Sequence, residues 1–126
     1  MGDAVASISS YRDLNVWQMS VDLATRCYDV TAAFPASELY GMTSQIRRAS
    51  VSVAANIAEG HGRDGTGNFI QFLRVAQGSL EELETHILIC SRVTLLEEDV
   101  ARTLEAQCDE IGRMLRSLIR TLEAKL

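Results

Sequence analysis

The stretch Gln45-Ile46-Arg47-Arg48-Ala49-Ser50-Val51-Ser52-Val53-Ala54-Ala55-Asn56-Ile57-Ala58-Glu59-Gly60-His61-Gly62-Arg63 decides how this chain folds. Ile46, Ala49, Val53 and Ile57 recur three or four residues apart, the pattern of one buried helix face. A polar stripe runs beside it: Arg48, Ser52, Asn56 or Ala55, Glu59 and Arg63. Ala and Ser fill an unusual share of the remaining positions, and side chains this small leave room for a neighbouring helix to pack close.

Upstream, Val16, Met19, Leu23, Cys27, Val30 and Phe34 predict a helix over about 16–33, with Trp17, Val21, Ala24 and Tyr28 as a second apolar stripe. An apolar surface this wide meets more than one neighbour. Asn15 and Gln18 fit an N-terminal capping box. Pro35 ends the helix, because its ring removes an N–H and disfavours helix in the residue before it. The quoted helix then begins near Ser37 or, after a break at Gly41, near Thr43, and ends by Gly60. Gly60, Gly62, Gly65 and Gly67 predict a loop, with Asp64 and Thr66 as caps for the next helix.

That third helix spans about 68–92, on Phe69, Phe72, Leu73, Ala76, Leu80, Leu83, Ile87 and Cys90. Gly78 in its middle costs about 1 kcal/mol against Ala. Close approach of the second helix is the expected compensation, Ala49 and Ala55 lying against Gly78 and Ser79. A fourth helix over about 97–126 carries the near-heptad seam Val100, Leu104, Cys108, Ile111, Leu115, Leu118 and Leu122. Acids open it and bases close it, which suits its dipole. Short connections between the first and second helices and between the third and fourth make those pairs antiparallel neighbours. The expected fold is all-α, an antiparallel up-down-up-down four-helix bundle over 12–126, with 1–11 as a flexible tail.

The net charge is −5 and uneven: −1 over residues 1–75 and −4 over 76–126. Nucleic-acid binders usually carry a basic field, because neutralising phosphates drives their affinity. Such an activity here would need a local arginine patch, for which Arg47, Arg48, Arg63 and Arg74 are the candidates, or a basic partner. Cys27, Cys90 and Cys108 lack zinc-ligand spacing and read as small buried hydrophobes in a reducing cytosol. His61 and His86 have Ala58 and Leu83 three residues earlier, not the Glu of a dinuclear carboxylate bundle. No nucleophile–base spacing appears. The expectation is a protein without metal, cofactor or catalytic residues, cytoplasmic, with no membrane partner, secretory signal or membrane span.

Several motifs together carry a resemblance. They are Asp13-Leu14-x-Val16-Trp17, Phe34-Pro35, Glu38-Leu39-Tyr40-Gly41, Gln45-Ile46-Arg47-Arg48-Ala49, Asn56-Ile57-Ala58-Glu59-Gly60 with Arg63, Phe72-Leu73, and Ala76-x-Gly78-Ser79-Leu80-x-Glu82-Leu83-Glu84-Thr85. Over about residues 11–122 the chain resembles the four-helix-bundle proteins encoded in 23S ribosomal RNA intervening sequences. The accessory variability protein of diversity-generating retroelements belongs to the same group. The resemblance implies a homopentamer whose biochemical role is unknown in most members. The retroelement member is basic and binds nucleic acid and a reverse transcriptase, so this acidic chain departs from it.

Two constellations follow. Arg48 or Arg63 pairs with Glu59, Glu82 or Glu84, within or between subunits, or these arginines serve an anion site. Arg48, Ser52, Asn56, Glu59, Arg63, Glu82 and Glu84 form a satisfied polar network at a helix or subunit contact, or a ligand site. Trp17, Tyr28 and Tyr40 are the aromatics for core packing or subunit contact. The expected function is a homo-oligomeric scaffold or adaptor. The alternative is an accessory protein that binds RNA, DNA or a nucleic-acid enzyme.

Overall fold

The structure, a computed structural model, describes residues 10–126. Four helices carry it: α1 (Asn15–Thr31), α2 (Ser44–Gly62), α3 (Thr66–Arg92) and α4 (Glu98–Glu123). No strand occurs among the described residues. The first nine residues of the expected tail lie outside the described residues. Tyr11 does not behave as tail: it belongs to a 3-10 turn, Tyr11–Asp13, and its ring meets Trp17 edge-on at 5.1 Å.

Pairs of contacts fix the directions. Thr31 meets Arg47 while the earlier Cys27 meets the later Ser50, so α1 and α2 run oppositely. Gly60 abuts Phe72 while Ser52 meets Ser79, which reverses α3 against α2. Arg74 pairs with Glu123 while Leu80 lies beside Gly112, which reverses α4 against α3. With α4 also packed on α1, the ring of four helices closes. The core they enclose includes Leu23, Cys27, Ile46, Val53, Ile57, Leu73, Leu83, Ile87, Leu104, Ile111 and Leu115, all essentially without solvent contact. Each such aliphatic side chain stabilises the fold by about 1.5–3 kcal/mol before entropy is subtracted.

Several local expectations need correction. α1 is capped by Leu14 with no side-chain bond, because Gln18 turns back to donate to the Arg12 carbonyl at 2.7 Å and ties down the preceding turn. Buried polar residues also enter its face: Ser20 and Thr31 satisfy their hydroxyls on the carbonyls of Val16 and Cys27, one turn back. The approach to α2 is a 3-10 turn, Ala36–Glu38, and a π-helical turn, Leu39–Thr43, broken at Gly41 (φ −107°, ψ −116°). Glu38 caps this turn by accepting from the Met42 N–H at 3.1 Å. Gly60 and Gly62 continue α2 and Gly67 lies inside α3, leaving only 63–65 between the helices. Neither Asp64 nor Thr66 caps α3 with its side chain; Gly65, at φ +89°, holds the capping position. On α4, Val100 and Leu118 are half-buried while Ala101 and Ile119 turn fully inward. A straight helix drifts from a strict heptad repeat, so the buried line moves along it.

The largest correction concerns Gly78. It is exposed, and a Cβ built on it would meet nothing within 4 Å. Close approach of α2 and α3 occurs instead at Gly60, where a Cβ would lie 2.6 Å from the Phe72 Cβ. Of the four expected packing residues, Ala49 is buried in the core, Ala55 is exposed, and only Ser79 takes part in the α2–α3 contact, through Ser52. The cost of Gly78 is therefore not offset by a neighbouring helix of the same chain.

Candidate functional site

A polar seam joins α2 to α3. Ser52 and Asn56 stand one turn apart on the side of α2 that faces α3. The Ser52 and Ser79 hydroxyls meet at 2.8 Å. Asn56 Nδ2 donates to the Ser52 carbonyl at 2.8 Å and to the Ser52 Oγ at 3.0 Å. Half-buried hydroxyl and amide groups thus satisfy one another, which keeps their desolvation affordable. One turn further, the Glu59 carboxylate accepts from the Arg63 guanidinium at 2.6 Å, and Arg63 lies over the Phe72 ring at 5.2 Å from its centroid.

The seam holds only part of the expected network. Glu82 turns to His86 Nε2 at 3.2 Å, on its own helix, while His86 Nδ1 is buried without a partner. Glu84 lies on the α4 side of α3. Burial pushes its carboxyl above the ordinary range, nearby Asp109, Glu81 and Glu105 push the same way, and Arg116 opposes them. Residues two apart on a helix point about 200° from each other, so Glu82 and Glu84 cannot serve one neighbour. Arg48 makes no hydrogen bond or ion pair among the described residues, and of the expected arginine–carboxylate pairs only Arg63–Glu59 forms within the chain.

The four arginines do not form one patch. Arg47 folds back on α1: its Nε donates to Thr31 Oγ1 at 2.9 Å, and its guanidinium lies 4.5 Å from the Tyr28 ring centroid. Arg63 is roughly 24 Å further along α2, at about 1.5 Å per residue. Arg74 is taken up by Glu123 at 2.7 Å. Thr31 and Tyr28, the partners of Arg47, are sixteen and nineteen residues away, and no local pattern announces them.

The cysteines are all free and buried. Burial pushes the Cys27 thiol up to about 11, a hydrogen bond with Ser50 offsetting part of the effect. Cys90 is likewise pushed up to about 11 by burial, with Glu38 adding to it. Cys108 rises further, from burial first and then from Glu84 and other neighbours. Thiols held protonated in this way are poor nucleophiles and poor metal ligands.

The second feature is an apolar groove between α1 and α2, about 470 Å³, walled by Trp17, Val21, Ala24 and Tyr28 on one side and Val51 and Ala55 on the other. It is the second stripe of α1 completed by the small residues of α2. From Trp17 to Tyr28 it runs roughly 16 Å along the helix.

The family model of the 23S rRNA-intervening sequence protein matches residues 12–117, which take in the seam, the groove and most of α4. The chain belongs to the 23S rRNA-intervening sequence protein family. Among solved structures, this intervening-sequence protein is similar to a protein of unknown function from the S23 ribosomal protein family of Bacteroides thetaiotaomicron. The identity is 24%, the TM-score 0.75, and the match covers 82% of this chain and 97% of that one. At that identity the likeness establishes the shared fold alone. No curated protein matches the chain. No helix among the described residues is long and apolar enough to cross a membrane.

Proposed function

We propose that this intervening-sequence protein is a non-enzymatic cytoplasmic scaffold or adaptor that works as a ring of identical copies, five in the assembly its family resemblance implies. The observation that carries the reading is the α1–α2 groove. Its lining is almost wholly apolar, with Ala24 and Ala54 buried, Trp17 packed partly against the core, and Tyr28, Val51 and Ala55 exposed. Aromatic residues are enriched at subunit contacts, where one large side chain excludes much water. A groove floored by Val51, Ala54 and Ala55 admits an incoming helix at close range.

Sedimentation equilibrium tests this directly. The expected particle is about five times the 13.9 kDa chain. Val21→Glu places a carboxylate in the groove. Val21 is half-buried, so without a subunit contact the change costs about 1 kcal/mol and leaves the particle size unchanged; at a subunit contact it dissociates the ring. A monomeric parent protein at about 50 µM, a concentration well above most specific dissociation constants, defeats the reading. Direct nucleic-acid binding, the alternative, has less support, because three of the four arginines are engaged within the chain and the set is scattered.

A further inference from the structure

Beyond the upper end of the groove, where α1 finishes and α2 begins, lies a cavity of about 510 Å³ unlike the rest of the surface. Its walls are Tyr28, Leu39, Tyr40 and Val51, with Thr43, Ser44, Arg47 and Arg48 beside them. Tyr28 and Val51 are shared with the groove, whereas Leu39 and Tyr40, 48% and 92% exposed, belong to this cavity alone. The π-helical turn builds this wall. Glu38 holds the turn through the Met42 N–H, the backbone leaves helical geometry at Gly41, where an added Cβ would come within 2.9 Å of Glu38 Oε1, and Tyr40 stands exposed beside the break.

The charge of the cavity is the second observation. Acids outnumber bases 17 to 12 in the chain, yet two arginines and no Asp or Glu line this cavity. Neither arginine pairs with a carboxylate among the described residues. Arg47 is held in place by Thr31 and the Tyr28 ring, and Arg48 extends into solvent. Adjacent helical residues point about 100° apart, so the pair offers one cation tied to α1 and one facing solvent, not a track for a phosphate backbone. A mostly apolar wall beside uncompensated positive charge suits a ligand that joins one large apolar side chain to a single carboxylate.

We propose that this cavity binds a short peptide segment of a partner protein, seating an aromatic side chain against Leu39 and Tyr40, which lie outside the α1–α2 groove, and a neighbouring carboxylate on Arg48. The proposal rests on the adaptor part of the function above and names the chemistry of what is adapted. Full-length protein, isotopically labelled, is titrated with the capped peptide acetyl-Ser-Asp-Phe-Glu-Gly-Ser-amide. The control peptides replace both acids by their amides, or the aromatic residue by Ser. Resonance shifts are expected at Leu39, Tyr40 and Arg48, with half-saturation at about 1 mM, the affinity scale of one anchor and one ion pair. Either control peptide, and either Tyr40→Ala or Arg48→Ala, is expected to weaken binding by about five-fold or more. No shift at the cavity with about 5 mM peptide, at which a 1 mM site would be mostly filled, overturns the proposal. So does equal binding of the amide peptide, or tighter binding of decauridylate through Arg48. Sedimentation of the same samples separates the two readings. A monomer with peptide shifts removes the ring and keeps the cavity, whereas a ring without shifts removes the cavity alone.

Discussion

Gly60 and Gly78 stand on neighbouring helices in opposite circumstances, and replacing each by Ala tests the packing of α2 on α3. At Gly60 an added Cβ would sit 2.6 Å from the Phe72 Cβ, 3.1 Å from a ring carbon of Phe69 and 3.3 Å from the Phe69 carbonyl oxygen. Carbon pairs rest at about 3.5–4.0 Å, so the first contact is about an ångström too short. The obstructing atom is a Cβ fixed to the α3 backbone and cannot swing aside, so α3 itself must move. Overpacking of this kind costs about 1–3 kcal/mol, occasionally more. The better helix propensity of Ala returns up to about 1 kcal/mol, less near a helix end. Gly60→Ala should therefore lose about 1–2 kcal/mol. Gly78→Ala meets nothing within 4 Å and should gain about 0.5–1 kcal/mol. Urea denaturation followed by far-ultraviolet circular dichroism, at one protein concentration, measures both. At about 3–5 °C per kcal/mol for a chain of this size, thermal midpoints should separate the two variants by several degrees. Gly60→Ala as stable as the parent would refute the close approach at Phe72. Destabilisation by Gly78→Ala would show that its open side is covered by something the isolated chain lacks.

Further expectations concern the polar groups. Ser52→Ala removes the oxygen shared by Ser79 and Asn56 and should cost about 1–2 kcal/mol; a double-mutant cycle with Ser79→Ala that shows no coupling would deny the hydroxyl contact. The Arg74–Glu123 pair is exposed on both sides, so Arg74→Ala should cost less than about 1 kcal/mol, and the loss should shrink in high salt. For Glu84 the folded carboxyl lies above its ordinary value of 4.5, so the folded state binds the extra proton. Its contribution favours folding below 4.5 and is lost as pH rises through the raised folded value. Glu84→Gln should flatten that part of the stability–pH curve, and an unchanged slope would remove the effect. Native Cys27, Cys90 and Cys108 should resist a disulfide reagent near pH 8, where unperturbed thiols react readily; rapid labelling without unfolding would contradict their burial.

The helical periods of the sequence suffice for the architecture because each is a local property: Ile46, Val53 and Ile57, or Leu104, Cys108 and Leu115, can face one direction only if the chain is helical. Pro35 and the glycines near 60–67 bracket the helices for the same reason, although Gly60, Gly62 and Gly67 prove to be helical. The pairing of side chains was less legible. Arg63 finds Glu59 one turn away, as local spacing suggests, but Arg47 finds Thr31 and Arg74 finds Glu123, partners that only the docking of whole helices brings near.

Composition and periodicity by themselves determined an all-α chain of four helices and a core face for each, because burial repeats every three to four residues regardless of the neighbour. Tertiary structure alone decided which small residue is pressed against a neighbouring helix, which arginines keep uncompensated charge, and how Leu39 and Tyr40 come to line one cavity with Tyr28 and Val51. Those outcomes depend on the rotation and height at which two helices meet, and a one-residue change in that register would exchange the contacts while leaving every helical period intact.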